Sequence, residues 1–200
     1  MNNKYVLIDG ENFVHGLVHV LRSKKIISNR EELGRIHVAS LLTDMDVQGS
    51  VINYYTTRIQ VPEESSSLHE TVEKMRNWNA KWTPYLANQG VTIIKAGILK
   101  ARTSKRCSHC QKRTEILLEK GVDVRLGVDI VALGLKDTTL YVFSSDSDII
   151  SAIKSARAHG AKVIYVAIEG SINHGLSKST DGRIVLKKSQ VIDAYKKVNA

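Results

Sequence analysis

The feature that most constrains the fold is an alternation of short, uninterrupted apolar runs with longer stretches of helical character. Residues 4–9 (Lys-Tyr-Val-Leu-Ile-Asp), 139–143 (Thr-Leu-Tyr-Val-Phe) and 162–168 (Lys-Val-Ile-Tyr-Val-Ala-Ile) read as strands without a polar face. Strands of that kind belong in a sheet covered on both sides, and their alternation with helices makes such a sheet mainly parallel. Two more strands are expected at 51–59, rich in β-branched and aromatic residues, and at 91–99, after Gly90. Helices are expected from about Phe13 to Arg22, from about Arg30 to Thr43, over 65–88 with Pro84 kinking or ending it, for about fourteen residues after Gly121, and over 148–159 before Gly160. Residues 100–114 are basic and lack a helical period, so they read as a loop or hairpin insertion. The C-terminal thirty residues are polar and basic, with a short strand at 183–186 and a helix from Ser189. The expectation is one α/β domain over residues 1–200, a Rossmann-like three-layer sandwich with an insertion at about 100–114 and a polar C-terminal extension from about 170.

Two hundred residues, 42% of them hydrophobic, suffice for one such core and are tight for two. The net charge of +9 suits a polyanionic partner, nucleic acid or an anionic membrane surface, or else is simply a solvated basic surface. No run approaches the roughly 20 apolar residues of a membrane span. No basic leader precedes the first strand. With only Cys107 and Cys110 present, a disulfide-stapled secreted domain is not expected, and the cytoplasm is the expected compartment.

In parallel sheets, functional groups collect where strands end and helices begin. Asp9 ends the first strand, and Asp146 and Asp148 follow the strand 139–143 in Ser144-Ser145-Asp146-Ser147-Asp148. Asp123 lies in the first turn after Gly121, which also faces a strand edge. Four carboxylates on one rim repel one another unless a cation neutralises them, and Mg²⁺ or Mn²⁺ takes hard oxygen ligands of this kind. One or two such ions activate water and brace a phosphate under attack. Each acid also has a structural reading. Asp148 can cap the helix that follows, Asp123 can complement a helix N-terminus, and Asp146 can be a turn residue. Asp129 falls on the stripe of Val122, Leu126 and Leu133, so it needs a partner: a metal, or Arg125 at i,i+4. Asp123 and Asp129 lie about 120° apart around a helix, so both are not expected in one coordination shell.

Three segments together resemble a known family. Leu7-Ile8-Asp9-Gly10-Glu11-Asn12, Glu119-Lys120-Gly121-Val122-Asp123-Val124-Arg125-Leu126-Gly127-Val128-Asp129 and Ser144-Ser145-Asp146-Ser147-Asp148-Ile149-Ile150 are similar to the motifs of NYN domains, most closely the LabA-like branch. The resemblance spans roughly residues 4–170 and implies a PIN-like fold with a metal-dependent ribonuclease site. Asp9, Asp123, Asp146 and Asp148 then take the metal-binding roles, with Asp129 a further acid of the middle motif. Asn12 supports the first acid by hydrogen bonding, and Lys120 either contacts phosphate or is simply solvated. The substrate implied is RNA, single-stranded. Many LabA-like proteins look regulatory, so a catalytically silent RNA-binding module is the alternative. A haloacid-dehalogenase-like phosphatase also starts from a strand-ending aspartate, but it wants aspartate where this chain has Glu11.

Cys107-Ser-His-Cys110 has the spacing of a zinc knuckle or is a pair of free thiols. Zinc needs four ligands, so His69 or a second chain would have to complete the set, His109 being poorly placed between the two. Lys95, Lys100, Arg102, Lys105, Arg106, Lys112 and Arg113 crowd the same segment and could hold phosphates. Trp78, Trp82 and Tyr85 follow helical spacing and read as core or homodimer contacts rather than base-stacking platforms.

Overall fold

The computed structural model describes residues 3–43 and 45–199. Strand β1 (Asn3–Asp9) runs straight into helix α1 (Gly10–Ser23). There follow α2 (Val38–Leu41), β2 (Val51–Gln60), α3 (His69–Ala87), β3 (Val91–Thr103), β4 (Glu115–Lys120), α4 (Val122–Leu133), β5 (Thr138–Phe143), α5 (Ile150–Ala158), β6 (Lys162–Ile168), α6 (His174–Ser179), β7 (Gly182–Leu186) and α7 (Lys188–Asn199). The strands form one seven-stranded sheet in the order β4-β3-β2-β1-β5-β6-β7. Among these pairings only β3 with β4 is antiparallel.

Helices cover both faces, because the central strands have no wet side: β5 is buried along its whole length. On one face Val6 and Ile8 of β1 pack with Phe13, Val14 and Leu17 of α1, Trp82 and Leu86 of α3, and Val191 of α7. On the other, Leu7 and Val142 pack with Leu126 and Ile130 of α4, Ile153 of α5 and Leu176 of α6. The architecture is the expected α/β three-layer sandwich. The residues after 170 join it, β7 as the edge strand beside β6 and α7 against α1 and α2.

Three expected elements differ. The helix expected over 30–43 is a 3-10 turn at Glu31–Leu33 and the one-turn α2. Gly34 lies between them, and Glu32 turns back to accept from Ser28 N and Asn29 Nδ2, so side chains meet backbone needs that a helix would otherwise meet. The apolar spacing still serves its purpose, since Leu33, Ile36, Val38 and Leu41 are all buried. Pro84 does not end α3, which continues to Ala87, where the Pro84 carbonyl accepts from Asn88 N (3.0 Å). Residues 100–114 are the hairpin, one of the two expectations, made of the far end of β3 and its turn, but the strand that follows them, β4, is a sheet member the apolar pattern did not reveal.

The chain leaves β1 for β2, β3 and β4 on one side, and α4 then carries it back to β5 on the other side of β1. The carboxyl ends of β1 and β5 therefore flank the switch point of the sheet, where open α/β folds bind ligands. Beyond that edge β2, β3 and β4 form an overhang. Asp9 pairs with Tyr55, but β2 and β3 go on to pair as far as Gln60 with Lys100. β4 then returns to the rim, with Glu119 opposite Leu99.

Candidate active site

Asp9 is buried at the end of β1 and is the N-cap of α1. Its Oδ1 accepts from Asn12 N (3.2 Å), and its Oδ2 accepts from Asn12 Nδ2 (2.5 Å) and Ser144 Oγ (3.1 Å). Burial raises its pKa, against these hydrogen bonds, which lower it. The strand-to-helix junction at Gly10 is tight: a Cβ there would lie 2.5 Å from the Tyr55 carbonyl oxygen. Glycine is what allows α1 to start directly after Asp9.

The β5 end is tied to the β1 end. Ser144 Oγ also accepts from Asp146 N (3.1 Å), Ser145 Oγ donates to Asn12 Oδ1, and Asn173 Nδ2 donates to the Ser145 carbonyl (2.8 Å). Asp146 Oδ1 accepts from Asp148 N (2.8 Å), so Asp146, not Asp148, caps the turn leading into α5. Asn12 thus links the first and last motifs, with Ser144, Ser145 and Asn173 sharing that task.

Asp123, in the first turn of α4, lies in the field of this group. Burial raises its pKa, and Asp9, Asp146 and Asp148 raise it further. Asp123 and Asp148 also border one shallow groove between α4 and α5. Among the described residues none of these four acids is ion-paired with a basic side chain. Glu119 is an addition to the set. Burial, then the charges of Asp9, Glu11 and Asp123, push it up to about 7. In sequence it merely opens the middle motif, and only strand pairing returns it to the rim. Glu11 faces the same side, held by Arg30 (2.6 Å), whose guanidinium also lies over the Trp78 ring at 4.6 Å. The cavity that Glu11 and Glu119 line is about 170 Å³, below the size of an ordinary small-molecule pocket.

The acids share a field without closing a cage: among the described residues no three His, Cys, Asp or Glu side chains stand together as a metal-binding group. Asp129 is turned elsewhere. It accepts from Tyr55 Oη (2.9 Å) and Arg125 Nε (2.9 Å), which satisfies a carboxylate on an otherwise apolar helix face. Trp82 is buried in the core, and Trp78 stacks on it at 5.0 Å besides meeting the Arg30 guanidinium. The basic hairpin residues Lys105, Arg106, Lys112 and Arg113 are exposed around its tip, and Lys100 and Arg102 lie on the overhang. Among the described residues no helix is long and apolar enough to cross a membrane.

Comparison with known proteins agrees with this architecture. A crystal structure of a Vibrio parahaemolyticus protein of unknown function superposes with a TM-score of 0.53, covering 92% of this chain and 93% of that one. At 13% identity that likeness concerns the fold alone. Among curated proteins none matches the chain. The NYN domain family matches residues 4–187, nearly the whole chain. Its domains have the PIN-like fold and are generally nucleases, and with that match running across nearly the whole α/β sheet, this chain belongs to the NYN domain family.

Proposed function

We propose that the chain is a ribonuclease of the LabA-like branch, hydrolysing phosphodiesters of single-stranded RNA at the carboxyl rim with the aid of Mg²⁺ or Mn²⁺. The observation that carries this reading is the field at Asp123, raised by Asp9, Asp146 and Asp148 from two distant segments, with no basic side chain to offset it among the described residues. Such a group favours a divalent cation. The donors are all hard oxygens, which fit Mg²⁺. That ion keeps several waters and needs only one or two direct carboxylates, so an open rim suits it better than a closed cage. Asp9, Asp123, Asp146 and Asp148 would hold it, in part through water. When bound, the ion supplies Lewis-acid polarisation and an acidified water.

The chain's own groups set up the rest. Asn12 and Ser144 hold the Asp9 carboxylate, and Glu119 extends the acidic surface toward the overhang. Lys100, Arg102, Lys105, Arg106 and Arg113 offer the hairpin to RNA phosphates, which makes binding salt-dependent. Asp129 supports α4 against β2 and is left out of the ion's ligands. The full chain is read as a single domain, acting in the cytoplasm, where exposed thiols such as Cys107 and Cys110 stay reduced.

Asp146→Asn tests the proposal. Cleavage of labelled single-stranded RNA in Mg²⁺ should be abolished while the circular-dichroism spectrum stays that of the wild type. Equal cleavage by both proteins rejects the assignment. A silent RNA-binding module remains the second reading, favoured by the capping roles of Asp9 and Asp146. Wild type that binds RNA but cleaves none in Mg²⁺ or Mn²⁺ would select it. The phosphatase reading fares worse, since Glu11 stands where that chemistry needs an aspartate and is occupied by Arg30.

A further inference from the structure

The tip of the β3–β4 hairpin carries a second constellation, separate from the rim. Cys107 and Cys110 are both exposed and free. The turn presenting them is well ordered by its own backbone. Ser104 N donates to the Thr114 carbonyl (2.7 Å), Cys107 N to the Lys112 carbonyl (2.9 Å), and Gln111 N to the Cys107 carbonyl (2.9 Å). Gln111 takes a left-handed φ of 58° to close the turn. Two exposed sulfurs on one tight turn form a ready pair of ligands for a soft cation.

The pair is only half a structural zinc site, which takes four ligands. His69 lies at the start of α3, with its Nδ1 on the Pro62 carbonyl (2.9 Å), and is not grouped with the two cysteines. Among the described residues no third His, Cys, Asp or Glu joins the two cysteines in a metal-binding group.

We propose that Cys107 and Cys110 form one half of an intermolecular Zn²⁺ site, completed by the same two cysteines of a second copy of this chain. The contact is isologous, each tip meeting its equivalent, and so closes at two copies. Charge makes it depend on the metal. Lys105, Arg106, Lys112 and Arg113 flank each tip, so two tips repel without an ion. Four thiolates around one Zn²⁺ carry a net charge of about −2, which those cations offset.

The test uses the full chain, reduced and stripped of metal, titrated with zinc chloride alone. Light scattering should show the mass doubling as one ion is taken up per two chains. Cobalt chloride in place of zinc should give thiolate-to-metal charge-transfer absorption. Cys107→Ser and Cys110→Ser, on an exposed turn, should each remain monomeric and lose that absorption at unchanged melting temperature. The proposal is overturned by an unchanged mass, by one ion bound per monomer, or by doubling that persists in the serine variants. A dimer undone by reductant but not by chelator would also overturn it, since that dimer is a disulfide.

Discussion

Glu119 offers the sharpest test of how charge is arranged at the rim. Burial, followed by the fields of Asp9, Glu11 and Asp123, pushes its carboxyl from 4.5 to about 7. A difference of that size corresponds to roughly 3 kcal/mol against the charged form in the folded state. The side chain is still exposed to water, and screening reduces this to about 1 kcal/mol. The sign follows from proton binding. Between about pH 4.5 and 7 the folded chain holds the Glu119 proton and the unfolded chain does not, so stability falls as pH rises through this window and levels off above it. Glu119→Gln removes the charge. Its melting temperature should match the wild type near pH 4.5 and exceed it by roughly 2–4 °C at about pH 8. Differential scanning calorimetry over that range measures the gap. A gap that does not change with pH, or a glutamine variant that melts lower at about pH 8, refutes the electrostatic reasoning. Repeating the scan with MgCl₂ adds a second reading. A cation held at the rim offsets the same field and should narrow the gap, whereas a gap indifferent to Mg²⁺ counts against an ion there.

Other predictions follow from single contacts. Asp129→Ala leaves the buried Tyr55 hydroxyl without its acceptor and should cost about 1–3 kcal/mol in urea unfolding, part of it recovered by adding Tyr55→Phe. An Asp129→Ala protein of full stability that no longer cleaves RNA would move Asp129 into the active site. Gly10→Ala would help an open helix by about 1 kcal/mol. Here the new Cβ would meet the Tyr55 carbonyl at 2.5 Å and the Tyr54 ring at 2.6 Å, so the variant should instead be destabilised by about 1–3 kcal/mol, seen as a lower denaturation midpoint.

How much of this was readable from the residues alone depended on range. Strands β1, β5 and β6 showed themselves because a strand buried on both faces must be apolar throughout, a local property. Asp9 and Asp146 were legible for the same reason: a charge ending such a run stands at the sheet's carboxyl edge wherever the strand lies. The segment 30–43 misled because its apolar spacing fits a helix, whereas Gly34 and the Glu32 hydrogen bonds favour an irregular path that buries the same side chains. β4 was illegible because Glu115, Glu119 and Lys120 break its apolar character, and its membership rests on pairing with β3.

The chain by itself therefore determined the layers, the direction of the sheet and which acids stand at strand ends, since those follow from periodicity and burial within a few residues. Tertiary structure decided which groups share a field. The strand order set β1 beside β5, the overhang returned Glu119 to Asp9, and Tyr55 joined the i,i+4 partner Arg125 in claiming Asp129. Those outcomes depend on register between segments far apart in sequence, and no local pattern encodes that.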